Sequence, residues 1–317
     1  MFRWAALVAA GICGTALLLL FVLNRPSPLP LPARLDVPLP EAAPPPEMAL
    51  WQLPTGVAHR NAAFAYTGGA LSDARDFVMT AVLVRHPLGD LLIDTGFGRE
   101  VERHFAEMPL YFRIITRFTR GLPARDQLEA AGYDFKRLRG VVLTHAHWDH
   151  ASGLADFPGV PVLVSKEERS FVETGGFLSA AARSSGARWA SYAFEGKAYL
   201  GFPHHHDVYG DGSVVIVPAP GHTPGSVIVF VTLPAGRRYA FVGDLCWQLE
   251  GILLREERPF PTRVLGDDDP AAVRAQLSHM YALSQRFPAL SLVPAHDARG
   301  FAALPVLSAF GDGQRRP

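Results

Sequence analysis

The chain has 317 residues, which is enough for one large domain or two modest ones. Its 30 Lys and Arg residues balance its 30 Asp and Glu residues, so the net charge favours neither nucleic acid nor anionic lipid, and no nucleic-acid partner is expected. The two cysteines, Cys13 and Cys246, argue against a disulfide framework and exclude a cysteine-rich structural zinc site.

An apolar run lies near the N-terminus. Residues Trp4 to Leu23 contain no charged side chain over 20 positions, and a helix of that length crosses roughly 30 Å of hydrocarbon. The run ends without an Ala-x-Ala-like cleavage site. We therefore interpret residues 1–25 as a transmembrane anchor, with a cleaved signal helix as the alternative. The remainder of the chain is expected on the periplasmic side, either anchored to the membrane or released after cleavage.

Residues 26–47 form a proline-rich linker, with nine prolines between Pro26 and Pro46. Such a segment cannot build a hydrogen-bonded ladder, so the sequence predicts an extended, semi-rigid spacer. The alternative is an arm that packs on the domain. Residues 48–317 are predicted to form that domain.

Within the domain, apolar runs at 77–85 and 91–94 flank a turn and predict a β-hairpin. Helices are expected over 99–118 and 125–131, the second stopped by Gly132. Residues 166–200 predict a mixed, partly helical insertion. Asp269 and Pro270 predict an N-cap and a first-turn proline for a helix that runs to about Phe287. Further strands are expected at 141–143, 160–165, 213–217, 227–233, 239–242 and 290–293.

Four candidate metal ligands fall within six residues in the sequence THAHWDH: His145, His147, Asp149 and His150. They directly follow the apolar run 141–143, so a strand and a tight loop would aim them at one point. Imidazole nitrogens and carboxylate oxygens suit zinc and related transition metals. A polar surface loop is the simpler alternative, but further ligand candidates recur downstream.

Those further candidates are Asp94, His222, Asp244 and His296, and each lies at the end of its own strand-like run. Side chains at the same end of several strands converge in a folded sheet, whereas scattered histidines would not. With these residues in place, the chain resembles the metallo-β-lactamase superfamily over roughly residues 76–300. The motifs that carry the resemblance are the strand ending in DTG, HAHWDH, PGHTPGS, FVGD and PAHD.

The resemblance implies an α/β fold, a four-layer αββα sandwich with two divalent metal ions at one sheet edge. Zinc is favoured, with iron or manganese as alternatives. It implies that one metal is held by His145, His147 and His222, the other by Asp149, His150 and His296, and that Asp244 bridges both. A hydroxide bound between two such metals can attack a carbonyl, so Asp149 and Asp244 are assigned to the catalytic centre. Asp94 is expected to orient a ligand by hydrogen bonds.

Trp148 and Trp247 flank the metal motifs and are candidates for the wall of a substrate pocket, with ordinary core packing as the alternative. The run around HWDHASGLADFPG is most similar to the N-acyl-homoserine lactonase branch, which implies a small-molecule ester or lactone substrate. The chain departs from that branch at two positions. Trp247 replaces a tyrosine, and Ser226 stands where a second histidine is common.

Two alternatives remain open from the sequence. A glyoxalase II-like thioesterase would use the same ligands but would need a basic patch for an anionic substrate. A membrane-tethered, non-catalytic metal-binding module is the alternative of another class, although such modules characteristically lose ligands and every ligand is present here.

Overall fold

The computed structural model describes residues 14–15 and 22–308. Seven strands form the first sheet, in the order β4-β1-β2-β3-β5-β6-β7. In chain order these strands are β1 (Ala49–Asn61), β2 (Ala74–Arg85), β3 (Asp90–Ile93), β4 (Phe118–Arg120), β5 (Leu138–Val142), β6 (Pro161–Val164) and β7 (Arg188–Ser191). The hairpin expected from residues 77–94 is β2 and β3, which pair antiparallel.

Five strands form the second sheet, in the order β12-β11-β10-β9-β8. They are β8 (His206–Asp207), β9 (Val214–Pro218), β10 (Val227–Thr232), β11 (Arg238–Gly243) and β12 (Leu290–Pro294). The described helices are α1 (Ala62–Ala65), α2 (Val101–Ala106), α3 (Leu110–Ile115), α4 (Ala124–Ala130), α5 (Trp148–Ala151), α6 (Lys166–Thr174), α7 (Ala180–Ser184), α8 (Glu250–Leu253), α9 (Phe260–Gly266), α10 (Pro270–Arg286) and α11 (Ala298–Phe301).

The two sheets pack face to face because their central strands are apolar on both sides. In β10, Val227 and Val229 belong to the core between the sheets, whereas Ile228 and Phe230 face the opposite side. The period of two along a strand produces this division. A continuous apolar run therefore predicts a strand buried on both faces, as observed.

Helices cover the outer face of each sheet. Leu128 of α4 and Val172 of α6 pack on the first sheet. Val273 and Leu277 of α10 pack on the second sheet. The order helix, sheet, sheet, helix confirms the expected αββα sandwich.

The strands that precede the candidate ligands end at the same end of the sandwich. β3 and β5 run parallel in the first sheet, and β11 and β12 run parallel in the second. The carbonyl of Thr144, just beyond β5, accepts a 2.9 Å hydrogen bond from the amide of Val227 at the start of β10. The two sheets are thus joined at this end.

The segment 99–118 differs from the single helix expected. It contains α2 and α3, and β4 follows and pairs with β1. Pro109 precedes α3, and a proline lacks the amide hydrogen that a continuous helix would need there. Residues 166–200 contain α6, α7 and the edge strand β7.

The proline-rich segment is extended, but it lies against the domain. The amide of Leu29 donates to Arg255 O at 2.8 Å, and that of Ala43 donates to Asp211 O at 2.8 Å. The guanidinium of Arg238 donates to Pro40 O at 2.7 Å. These contacts indicate an arm packed on the domain and differ from the expected free-standing spacer. The proline-rich segment forms no ladder of its own, and its backbone amides and carbonyls bond to the domain instead.

The apolar run Trp4 to Leu23 lies mostly outside the described residues. None of the helices within the described ranges has both the length and the apolar character that a membrane crossing requires. The anchor, its orientation and the cleaved-signal alternative stay predictions.

Candidate metal centre

The loop after β5 delivers the histidine cluster. β5 ends at Val142, and α5 begins at Trp148 with His147 as its N-cap residue. The extended backbone at His147 (φ −70°, ψ 156°) and the helical turn that follows give successive side chains different directions. One short segment can therefore contribute to two neighbouring ligand groups.

His222 and Asp244 come from loops that require glycine. Gly221, just before His222, has φ +140°, and a Cβ there would lie 2.7 Å from the amide nitrogen of Val273. Gly243 has φ +54°, and its Cβ would lie 2.9 Å from the Cβ of Thr144. Both turns favour glycine because other side chains rarely adopt positive φ.

The structure brings all seven candidate ligands to one end of the sandwich. They form two groups, and within each group one potential ligand atom per residue lies within 4.8 Å of the others. Six of the seven residues are buried, and Asp149 is partly exposed. The groups are His145, His147 and His222, and Asp149, His150, Asp244 and His296.

Asp244 lies between the two groups. Its Oδ1 is 3.0 Å from His296 Nε2 and 3.2 Å from His150 Nε2. Its Oδ2 is 3.4 Å from His222 Nε2 and 3.9 Å from His145 Nε2. Each carboxylate oxygen thus faces one group, which is the arrangement a bridging ligand needs.

The chemistry of the centre fits a pair of cations. His145 Nε2, His150 Nε2 and Asp244 Oδ1 are buried, and within the described part of the chain none of them makes a hydrogen bond of normal geometry, although His150 Nε2 and Asp244 Oδ1 lie 3.2 Å apart. Unpaired buried polar atoms cost about 1–3 kcal/mol each, and here they converge on one space. Imidazoles with two carboxylates are a donor set that zinc and similar metals accept.

The ionisable groups of the centre influence one another strongly. Burial lowers the pKa of His145 well below its ordinary value, and the neighbouring charge of His150 lowers it further. Burial also opposes charge on His150, but the carboxylates of Asp244 and Asp94 outweigh it and hold the pKa of His150 well above its ordinary value. Burial would raise the pKa of Asp244, but His296 and His150 hold that pKa well below its usual range.

Asp94 contacts a candidate ligand and the loop that carries it. Its Oδ2 lies 2.8 Å from His150 Nδ1, and its Oδ1 accepts a 2.7 Å hydrogen bond from the amide of Thr144. A hydrogen bond at Nδ1 leaves Nε2 of His150 directed at Asp244. Asp94 has φ +54°, a left-handed conformation that aspartate tolerates better than most residues.

Asp267 was missed by the sequence analysis. Its Oδ1 lies 3.0 Å from His222 Nδ1, and the Arg258 guanidinium makes a very short contact with the same oxygen. Burial would raise the pKa of Asp267, but the charge of Arg258 outweighs it and keeps that pKa below its usual value. A carboxylate behind a ligating histidine orients the ring and raises its basicity. No motif marks Asp267, which lies 45 residues from His222.

Glu168 was also missed. Its buried carboxyl group accepts hydrogen bonds from the amide of Ala146 at 2.5 Å, from the hydroxyl of Thr223 at 2.6 Å and from the amide of Gly225 at 3.1 Å. It therefore joins the loop of His145 and His147 to the loop of His222. Burial raises the pKa of Glu168 to about 7.

A local signal for Glu168 existed. Ser165 and Glu168 have the spacing of a capping box, in which the glutamate would reach back to the N-cap amide. Ser165 does accept a 3.1 Å hydrogen bond from the Glu168 amide. The glutamate side chain, however, turns to the ligand loops. The motif predicted the start of α6 but not this second contact.

Both candidate tryptophans line a pocket over the centre. The indole Nε1 of Trp247 donates a 2.8 Å hydrogen bond to Asp244 Oδ2. Trp148 is buried and packs with Phe97 at a ring separation of 5.1 Å, so it is both core and pocket wall. The pocket is otherwise mostly apolar, and its aromatic and sulfur-containing lining comprises Phe64, Phe77, Met79, Phe112, Trp148 and Trp247.

Comparison with protein families matches residues 75–283, more than half of the chain, to the metallo-beta-lactamase superfamily. The match includes six of the seven ligand candidates and the strands that carry them. The chain belongs to the metallo-β-lactamase superfamily. His296 lies beyond the matched residues, but it reaches the same centre from the end of β12.

Curated members of the superfamily share part of the chain. N-acyl homoserine lactonase AttM of Agrobacterium fabrum is 27% identical over 179 residues, which are 53% of this chain and 65% of that protein. The chain thus spans slightly less than two thirds of the length of the AttM relatives it matches. Probable metallo-hydrolase Rv2300c of Mycobacterium tuberculosis is 30% identical over 230 residues, 68% of this chain and 73% of that protein.

Solved structures share the metallo-β-lactamase fold. An N-acyl homoserine lactone hydrolase with N-hexanoyl-L-homoserine at its catalytic metal centre superposes with a TM-score of 0.64 at 16% identity, covering 81% of this chain and 96% of that one. AidC, a dizinc quorum-quenching lactonase, gives a TM-score of 0.55 at 17% identity over 86% of this chain and 95% of that one. At these identities the likeness shows the fold.

Proposed function

We propose that the chain is a metal-dependent hydrolase that cleaves a carboxylic ester, with a lactone of the acyl-homoserine type as the favoured substrate. The observation that carries the proposal is the position of Asp244, with one carboxylate oxygen toward each ligand group. A binding module with one structural ion would not need two groups that share a carboxylate. When bound, two divalent cations supply Lewis acidity and lower the pKa of a water molecule.

The chain's own residues would hold and orient those cations. His145, His147 and His222 form one site, and Asp149, His150 and His296 form the other, with Asp244 common to both. Asp94 and Asp267 keep His150 and His222 in the tautomers that direct Nε2 inward. The cations are proposed to be zinc, with iron or manganese as alternatives.

The pocket supports an ester with an apolar part. Phe77, Met79 and Trp148 exclude water from one side of the centre, and an apolar wall suits an acyl chain. The partly exposed Asp149 lies where the pocket meets the ligands. AttM is named as an N-acyl homoserine lactonase, and this supports the lactone over other esters.

Trp247 stands where the N-acyl-homoserine lactonase branch carries a tyrosine, and the two side chains differ in the hydrogen bonds they can make. A tyrosine hydroxyl can donate and accept, whereas an indole N–H only donates. Here that N–H is used by Asp244. We therefore propose that Trp247 positions the shared carboxylate and that the substrate carbonyl relies on other partners.

The thioesterase alternative depends on a basic patch for an anionic group. Arg60 is the only Lys or Arg among the described residues that line the pocket. Its guanidinium already donates to the carbonyl of Ile115 at 2.7 Å and to the hydroxyl of Thr116 at 2.9 Å. One engaged arginine favours a neutral substrate over a glutathione-like one.

The test is a turnover screen of the full chain, loaded with zinc, against N-acyl-homoserine lactones, glutathione thioesters and phosphodiesters. Metal content is measured on the same samples. We expect two metal equivalents and hydrolysis of lactones, with release of acyl-homoserine. Turnover of thioesters alone would replace the lactonase proposal with the thioesterase. Two bound metals without turnover of any ester would instead favour a binding module.

A further inference from the structure

Two short helices at the entrance of the metal pocket expose apolar side chains. On α3, Leu110 and Ile114 are 64% and 68% exposed, and on α9 Val264 is 63% exposed. Their neighbours Ile115 and Leu265 line the pocket itself. Clustered apolar side chains in solvent indicate a surface that contacts another apolar body.

The same surface continues past the entrance. Phe64 and Thr262 line the metal pocket and also a neighbouring cavity. That cavity is bordered by Leu71, which is 75% exposed, and by Asn24. We call the side chains of Leu71, Leu110, Ile114, Phe260 and Val264 the entrance face.

The N-terminal apolar run joins the domain at this face. Asn24 directly follows the 20 uncharged residues Trp4 to Leu23. Its carbonyl accepts a 3.0 Å hydrogen bond from the amide of Gly68, which also borders the second cavity. A run of this length and composition suits the hydrocarbon of a bilayer. A bilayer that holds this run would therefore lie beside the entrance face.

We propose that the entrance face lies on a lipid bilayer, so that the metal pocket opens toward the acyl chains. The local charge agrees with a lipid surface. α3 contains Arg113, and the sequence of neither helix contains Asp or Glu. Arg263 of α9 is neutralised by Glu257 at 2.8 Å, so Arg113 is the cation that these two helices offer to a headgroup. A second copy of the chain on this face would cover the pocket entrance.

The substrate class follows if the proposed esterase function holds. A pocket that opens at a bilayer receives amphiphilic esters dissolved in that bilayer. The apolar walls at Phe112 and Ile115 connect the entrance face to the metal centre. We infer that the substrate is an ester or lactone with a long acyl chain, taken from the membrane.

Docking is tested on the full chain in phosphatidylcholine and phosphatidylglycerol vesicles, without reference to activity. Every labelled variant carries Cys13→Ser, and the remaining native cysteine, Cys246, is buried. An environment-sensitive NBD label is attached to the new cysteine of Val264→Cys. Leu88→Cys is the matched control, since Leu88 is 64% exposed and lies in the β2–β3 turn, at the end of β3 opposite the metal centre.

We expect the label at position 264 to lose quenching by aqueous iodide and to gain quenching by doxyl-labelled lipid. The label at position 88 should keep full iodide quenching. Equal iodide quenching at both positions would overturn the proposal. Protection from iodide without lipid quenching, together with a cross-link between two labelled chains, would assign the face to a second copy and also overturn it.

The substrate inference has its own measurement. Ile114→Glu combined with Val264→Glu should lower kcat/KM for a long-chain ester in vesicles by about tenfold or more, because charge on the face opposes contact with acyl chains. Neither residue lines the pocket, so turnover of a short, water-soluble ester should stay within about twofold of wild type. Leu88→Glu should change neither rate.

An equal loss on both substrates would contradict bilayer delivery. If no ester is turned over by any form, the proposed function fails while the labelling result still decides the docking surface. The two failures are therefore distinguishable.

Discussion

The indole nitrogen of Trp247 donates a 2.8 Å hydrogen bond to Oδ2 of Asp244, the carboxylate that lies between both ligand groups. Phe77 packs against the same indole at a ring separation of 5.7 Å and limits its movement. A pocket residue is thus coupled to the orientation of the shared carboxylate. One of the two residues at which this chain departs from the pattern of the lactonase branch therefore contacts the centre.

We expect Trp247→Phe to weaken metal binding and lower kcat by roughly tenfold, because a hydrogen bond to a charged group contributes about 1.5–3 kcal/mol. Chelator competition and steady-state kinetics measure the two effects. Leu178→Ala trims another pocket side chain without touching Asp244 and is the control. Equal metal affinity in Trp247→Phe and wild type would show that the hydrogen bond is not needed.

Asp244→Asn removes the negative charge that faces both groups while preserving side-chain shape. Its effect on metal affinity should exceed the roughly 10–100-fold loss typical of a residue behind a ligand, and turnover should be abolished. Elemental analysis after dialysis reports the metal content. The exposed Asp268→Asn serves as control. Full activity in Asp244→Asn would contradict a shared role for this carboxylate.

Asp267→Asn leaves the ligands in place but removes the carboxylate behind His222. We expect a loss of roughly 10–100-fold in the affinity of one metal equivalent, with the other retained. The substitution leaves the buried Arg258 without its partner charge, so a thermal melt of the metal-free protein must accompany the measurement. A uniform loss of both equivalents, in step with lower stability, would indicate a structural role for Asp267 alone.

The pH dependence of stability should reveal Glu168. Its folded pKa is about 7, above its ordinary value of 4.5. Between those values the native state binds more protons than the unfolded state, so the free energy of unfolding falls as the pH rises from about 4.5 to 7. The difference of 2.5 units corresponds to at most roughly 3 kcal/mol.

Urea unfolding of the metal-free protein across this pH range measures the effect. Glu168→Gln should lack this part of the slope, so the difference between wild type and variant isolates Glu168 from the histidines. Glu167→Gln, at an exposed neighbouring position, should keep the wild-type slope. Identical slopes in wild type and Glu168→Gln would mean that the carboxyl group does not titrate in this range.

The strands and the candidate ligand positions could be predicted from the sequence because the patterns that mark them are local or periodic along the chain. Runs such as 141–143 and 239–242 are apolar, and this predicted the strands, whereas the resemblance carried by the motifs at the strand ends implied the sandwich. The ligands follow those strands directly, so a single rule about strand ends predicted that His145, Asp244 and His296 would meet. The Asp269 N-cap of α10 was equally local, and its side chain accepts from two helix amides.

Only the tertiary structure decided which groups stand behind the ligands and what surrounds the pocket. Glu168 contacts Thr223, 55 residues away, and Asp267 contacts His222, 45 residues away. Leu29 of the arm contacts Arg255, 226 residues away. No local pattern encodes such contacts, because a carboxylate on a helix turn looks the same whether it faces solvent or a buried loop. The sequence alone predicted the strands and the candidate ligands at their ends, since both depend on periodicity and order along the chain, and the resemblance implied how the strands assemble. The hydrogen bonds behind the centre and the exposed entrance face arise from how distant segments pack, and only folding brings those segments together.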